Sequence, residues 1–226
     1  NIYQYLLIIM TILGVGVFIT LQFVTPAYGM TFNNRWGVSI RSNLGWFIME
    51  APVFFAMLAL YFISLYFNIR PFNIVTFTMF FFFEFHYFQR SFIFPLLMRG
   101  QSKMPLSIII TGFTFNTCNA LMQGGWLFFF SPLDRYPISW FWSPQFIIGT
   151  GIFLFGMVVN LYADRVIRNL RMNDMDNNYY LPEGWMFRRI SSANYLGEIL
   201  EWLGFAILTW SVAGLVFLIW TFANIV

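Results

Sequence analysis

Hydrophobic positions form long, nearly unbroken runs along this chain, near 2–24, 45–67, 72–98, 105–130, 144–163 and 193–226. A helix needs about 20 apolar residues to cross a bilayer, so each of the first five runs reads as one transmembrane helix. The last run, 193–226, is too long for one upright pass. It is expected to break around Trp210-Ser211-Val212-Ala213-Gly214, which gives helices near 193–210 and 213–226 and seven passes in all. No basic residue precedes the first run, so it reads as a membrane span and not as a signal peptide. The chain opens at Asn1 without Met and closes on the apolar Ile225-Val226, which leads us to expect further residues at both ends.

The basic residues orient these passes. Loops one, three and five contain Arg35 and Arg41, Arg99 and Lys103, and Arg165, Arg168, Arg171, Arg188 and Arg189, whereas loops two and four contain only Arg70 and Arg135. Nine against two is a positive-inside bias. The expectation is an all-α polytopic membrane protein, a single domain over 1–226, with its N-terminus outside and its C-terminus in the cytoplasm. Loop five, about 172–192, is the one sizeable polar segment. A soluble cosubstrate should therefore enter from the cytoplasmic side.

Composition sharpens the class. Only 9% of residues are charged and 59% are hydrophobic, against about 25% charged in a soluble domain. One cysteine, Cys118, excludes an intrachain disulfide and a cysteine-built metal site, and one histidine, His86, argues against a multi-histidine metal centre. A net charge of +3, scattered along the chain, gives no nucleic-acid signature.

Candidate chemistry lies in the polar residues that interrupt the apolar runs. Glu50 sits in Gly45-Trp46-Phe47-Ile48-Met49-Glu50-Ala51-Pro52-Val53, near the cytoplasmic end of the second helix. An ionised carboxylate in hydrocarbon costs several kcal/mol; a desolvated carboxyl can keep its proton instead. On the third helix Glu84, Tyr87 and Arg90 recur every three residues, near one face. Glu50 and Tyr87 fall at comparable depth, where an acid and a phenol could donate two hydrogen bonds to a carbonyl oxygen. Helix packing through an interhelical bond of Glu50 is the plainer alternative. Asn116, Asn119 and Gln123 form an amide stripe on the fourth helix, most simply read as interhelical bonding. Asn160, Asp164, Arg168 and Arg171 end the fifth helix; they fit either a solvated i,i+4 ion pair or a recess for ribose and phosphate. Asn194, Glu198 and Glu201 line one face of the sixth helix, two acids that packing explains poorly. His86 reads as a packed or headgroup-facing residue. Gly14-Val15-Gly16 and Gly149-Thr150-Gly151 follow no strand and are not dinucleotide fingerprints.

Four stretches resemble the steroid 5α-reductase family, and a bacterial form of it in particular: Trp46-Phe47-Ile48-Met49-Glu50-Ala51-Pro52, His86-Tyr87-Phe88-Gln89-Arg90-Ser91-Phe92, Gly156-Met157-Val158-Val159-Asn160-Leu161-Tyr162-Ala163-Asp164, and Ala193-Asn194-Tyr195-Leu196-Gly197-Glu198-Ile199-Leu200-Glu201-Trp202. They are similar in order and spacing over about 44–226. The resemblance implies a seven-helix, NADPH-dependent reductase without a Rossmann fold, acting on the C4–C5 double bond of 3-oxo steroids. It implies that Glu50 and Tyr87 hold the C3 carbonyl oxygen, with Trp46 and Met49 beside the substrate. It assigns Asn194, Glu198 and Trp202 to the nicotinamide end. Asn160, Asp164, Arg168 and Arg171 go to the adenosine and phosphate portion, with Arg90, Arg99 and Tyr179 nearby. The chain departs from the family pattern at Met49, where steroid-reducing relatives commonly carry glutamine, and at Gln101 and Tyr180, where they carry arginine. Lys103 is the candidate substitute for the arginine at Gln101. The family's basic C-terminal segment lies outside this sequence.

The partners so implied are a lipophilic, steroid-like substrate and membrane lipid, with no nucleic acid and a monomer favoured. The location implied is a bacterial inner membrane, or the endoplasmic reticulum in a eukaryote, with the site open to the cytoplasm. Other readings are a reductase of a polyprenol, an enoyl thioester or a sterol alkene, a membrane methyltransferase using S-adenosylmethionine, and a transporter. A transporter would be expected to show internal repeats and broken helices in both halves, and neither is visible.

Overall fold

The computed structural model describes residues 2–25, 29–32, 36–171, 178 and 180–225. In chain order its elements are α1 (Ile2–Leu21), β1 (Ser39–Arg41), α2 (Ser42–Tyr66), α3 (Ile74–Phe88), α4 (Phe94–Leu97), β2 (Lys103–Pro105), α5 (Leu106–Gly125), α6 (Pro144–Asn169), α7 (Ala193–Thr209) and α8 (Val212–Ile225). The described residues are all-α apart from one short antiparallel ribbon, in which Ile40 of β1 faces Met104 of β2. Among the described residues seven helices reach 14 residues or more.

Helices α1, α2 and α6 are each long and apolar enough to cross a membrane. A π-helical turn, Gln89–Ile93, joins α3 to α4, so that Ile74 to Leu97 is one helical path of 24 residues. At 1.5 Å per residue it is about 36 Å long. A second π-turn, Trp126–Phe130, lengthens α5 in the same way. Asn73 starts α3 by accepting hydrogen bonds from the Val75 and Thr76 amides. Ser143 starts α6 by accepting one from the Phe146 amide, with Pro144 following it. Both are side-chain caps on otherwise orphaned amides.

The loops sort into two ends. The ribbon joins loop one to loop three. Arg99 Nη1 donates to the Arg171 carbonyl at 2.9 Å, and Arg171 Nη1 donates in return to the Arg99 carbonyl, which joins loop three to the end of α6. At the opposite end Arg70 donates to the Ser131 carbonyl and, at 2.9 Å, to its hydroxyl, and Asn73 donates to the Tyr136 carbonyl at 2.9 Å. Successive long helices therefore alternate in direction.

Helix α7 stops where Trp210 adopts a left-handed conformation, φ 46° and ψ 49°. Its final carbonyls would otherwise be orphaned in an apolar setting. Tyr136 Oη donates to the Thr209 carbonyl at 2.6 Å, Trp140 Nε1 to that of Leu208 at 3.0 Å, and Arg135 to that of Trp210 at 3.0 Å. Burial pushes the Tyr136 phenol up from its ordinary pKa, which keeps it a donor here.

The closest helix pair is α6 with α7. A Cβ built on Gly156 would lie 2.5 Å from the Glu201 amide nitrogen, and one on Gly197 would lie 2.5 Å from that of Asn160. Gly149 and Gly204 approach each other's helix equally closely. Small residues at seven-residue spacing on both helices let the backbones touch. This contact brings Asn160 and Asp164 of α6 alongside Asn194, Glu198 and Glu201 of α7.

Candidate active site

Helix α5 organises one half of the site. Asn116 and Asn119 are one turn apart, so their side chains emerge on one face. Asn116 Nδ2 donates to the Met49 carbonyl at 2.8 Å and to Glu50 Oε2 at 3.0 Å. Asn119 Nδ2 donates to Tyr87 Oη at 3.0 Å. Adjacent rungs of α5 thus hold the carboxyl of α2 and the phenol of α3. Glu50, Tyr87, Asn116 and Asn119 are all buried. The amide stripe does bond between helices, and its partners are the two candidate carbonyl-holding groups.

Met49 turns its side chain toward Gly112, where a Cβ would lie 2.2 Å from Met49 Cγ. Trp46 does not reach Glu50 through any hydrogen bond; its ring lies 4.7 Å from the Arg90 guanidinium carbon. An apolar hollow of about 260 Å³ lies between the start of α2 and the π-turn and α4, lined by Asn43, Leu44, Phe47, Phe92, Pro95 and Leu96.

Arg90 is the hub of the second half. It occupies the π-turn after α3, a backbone form often associated with functional positions. Its Nη1 lies 3.5 Å from Asp164 Oδ2 and its Nη2 3.7 Å from Glu198 Oε2. The Trp46 and Phe94 rings both pack against its guanidinium, with centroids 4.7 Å and 4.5 Å from its central carbon. Five elements therefore meet at one buried cation: α2, the π-turn, α4, α6 and α7.

One turn before Asp164 on α6, Asn160 Nδ2 donates to the Asn194 carbonyl at 2.9 Å, while Arg168 lies half-buried one turn after Asp164. Arg99 and Arg171 are tied together through their backbone carbonyls. Tyr179, also expected near the cofactor, falls outside the described residues.

His86 is neither simply packed nor facing headgroups. Its Nδ1 lies 2.7 Å from Glu201 Oε2, with both side chains buried. Its ring centroid is 4.5 Å from that of Trp202, whose ring is in turn 5.6 Å from that of Tyr87. Helix periodicity places His86 beside Tyr87 but gives no sign of a partner 115 residues away. The lone acid-and-histidine count was the available signal: an apolar helix holding Glu201 needs a partner, and His86 is the one histidine in the chain. Glu84 stays apart, with neither carboxyl oxygen hydrogen-bonded.

Three further buried polar atoms near Arg90 and Tyr87 make no hydrogen bond: Asp164 Oδ2, Glu201 Oε1 and Trp202 Nε1. Buried polar atoms are normally satisfied, so this set of two carboxylate acceptors and one indole donor, beside the Arg90 cation, suits a polar ligand with amide and hydroxyl groups.

Comparison with known proteins bears on the same residues. The family model described as 3-oxo-5-alpha-steroid 4-dehydrogenase matches residues 102–226. The steroid 5-alpha-reductase DET2 of Solanum lycopersicum is 34% identical, over 100% of this chain and 86% of its own length. The 3-oxo-5-alpha-steroid 4-dehydrogenase 1 of Bos taurus is 33% identical over 93% of this chain and 80% of its own, and that of Homo sapiens 33% over 92% and 78%.

Proposed function

Since this chain belongs to the 3-oxo-5-alpha-steroid 4-dehydrogenase (steroid 5α-reductase) family of oxidoreductases, we propose that it reduces the C4–C5 double bond of a 3-oxo steroid within the membrane, with NADPH as the reductant. The observation that carries this reading is the pair of α5 rungs, Asn116 and Asn119, which bond the Glu50 carboxyl and the Tyr87 phenol from adjacent turns of one helix.

Glu50 and Tyr87 hydrogen-bond the C3 carbonyl oxygen of the substrate. As C5 is reduced, electron density moves through C4 onto that oxygen, and the two donors stabilise the enolate-like charge. Bound NADPH supplies the hydride that arrives at C5; a proton then adds at C4. Asn194 and Glu198 fix the nicotinamide amide, with Trp202 packed against Tyr87 and its indole N–H unengaged. Asn160, Asp164, Arg168 and Arg171 hold the adenosine and phosphates, and Arg90 keeps the acids of α6 and α7 turned toward them. The apolar hollow between the start of α2 and α4 suits the entry of a lipophilic substrate. Met49 gives this chain an apolar contact beside the carbonyl. A bilayer with seven crossings, an outside N-terminus, a cytoplasmic cofactor end and a monomeric protein completes the reading.

Incubation of the detergent-purified protein with NADPH and progesterone or testosterone, followed by mass analysis, tests it. The expected product is heavier by two hydrogens and saturated at C4–C5. Recovery of unchanged steroid by protein that binds NADPH would overturn it.

A further inference from the structure

The hydrogen bonds around Tyr87 have a polarity that the backbone dictates. Gln123 Nε2 lies 2.9 Å from the Ala213 carbonyl oxygen at the start of α8. A carbonyl oxygen only accepts, so Gln123 must present its NH₂ group there. The same NH₂ lies 3.2 Å from the side chain of Asn119, which must then offer its carbonyl Oδ1. Asn119 is left with its NH₂ group toward Tyr87, at 3.0 Å. The phenol oxygen therefore accepts from Asn119, and among the described residues no protein group takes the phenol proton. Asn116 obeys the same rule: the Met49 carbonyl fixes its NH₂, which donates to Glu50.

We propose that Gln123 and Asn119 are positioning residues that lock Tyr87 as a hydrogen-bond donor, so that the site selects ligands whose matching group accepts: a ketone oxygen in place of an alcohol. This rests on the carbonyl-holding role given above to Tyr87. The relay runs Ala213, Gln123, Asn119, Tyr87, across α8, α5 and α3, with all four residues buried. Rotating Gln123 would set its carbonyl oxygen against that of Ala213, and rotating Asn119 would set its NH₂ group against that of Gln123, in a buried setting. The reverse polarity is thus closed to it.

A purely structural stripe and a polarity relay respond differently to substitution. Asn119→Leu deletes every hydrogen bond but leaves the Tyr87 proton free. Asn119→Asp keeps the shape and places an acceptor against the phenol, so that an ionised aspartate captures the proton the substrate needs. The test is turnover per folded molecule, together with dissociation constants, without NADPH, for a 3-oxo steroid and its 3-hydroxy counterpart. Folding is checked by melting in detergent.

Asn119→Asp should lose more turnover than Asn119→Leu, by at least about tenfold, and the loss should deepen as pH rises and the aspartate ionises. Its affinity for the 3-oxo ligand should fall by about tenfold or more while that for the 3-hydroxy ligand, which can donate to the phenol oxygen, holds. Gln123→Met, which adds no charge, releases the Asn119 amide to rotate and should weaken the ketone preference in the same sense. Equal or greater damage from Asn119→Leu, with the ketone preference intact in both Asn119→Asp and Gln123→Met, would show packing alone. Loss of ketone preference in no variant, with wild-type protein reducing no enone, would instead overturn the catalytic reading on which the relay rests.

Discussion

Glu50 already accepts a hydrogen bond from Asn116, and Tyr87 one from Asn119. Substitutions at either residue should therefore act on the group each offers to a substrate. Tyr87→Phe, which removes an oxyanion donor, and Glu50→Gln, which keeps a donor but loses its acidity, should each lower turnover by about 10² or more. NADPH affinity, read by fluorescence titration, should stay unchanged; wild-type turnover in both variants would contradict the assignment. At the cofactor end, Arg168→Ala removes a charged contact, a loss of about 1.5 kcal/mol or more. The apparent NADPH constant should rise about tenfold while affinity for the steroid holds, and the reverse pattern would assign Arg168 to the substrate. Glu50 stands out in the sequence because a carboxylate in an apolar run is costly. The partners that give it a role do not stand out. Asn116, Asn119 and Gln123 show their spacing but not that they face Glu50 and Tyr87, and the His86–Glu201 pair joins helices whose relative rotation no local pattern records.

Helices α6 and α7 owe their contact to glycines, and this makes a test at the level of the element. A methyl group on Gly156 would meet the Glu201 amide nitrogen at 2.5 Å, whereas one on Gly151 meets nothing within 4 Å. Gly156→Ala should lower stability by about 1–3 kcal/mol, as overpacking does, and lower the melting temperature in detergent. Gly151→Ala should leave both stability and turnover near wild type. Equal melting temperatures would mean that the two helices are not in backbone contact. The apolar runs reveal that these helices exist. The sequence reading sees Gly149-Thr150-Gly151 only as lacking a nucleotide fingerprint, because the packing role of Gly149 depends on Gly204 and Leu208 of the facing helix. The π-turn at Arg90 is likewise invisible to hydropathy, since one extra residue in a turn leaves an aromatic run unchanged.

For the whole molecule, the two sets of bonded loops require that odd and even loops lie at opposite ends. The charge bias proposes which end is cytoplasmic. In a Cys118→Ser background, Lys103→Cys should react with a membrane-impermeant maleimide only after the cells are opened. Asp134→Cys should react in intact cells, and the opposite pattern would invert the proposed topology. Charge patterning conveys sidedness because translocation acts on loops one at a time. How loops at one end bond to each other is a tertiary matter: Arg70 gives no hint in sequence that its guanidinium closes on Ser131.

The central claim is that a carbonyl held by Glu50 and Tyr87 directs reduction to the carbon two positions along the conjugated system from it. The most direct measurement is the position of deuterium in the steroid product formed with NADPH deuterated at C4 of its nicotinamide. The account predicts one deuterium at C5, one solvent-derived hydrogen at C4 and an intact C3 ketone. Deuterium at C3, with a C3 alcohol as product, would contradict it.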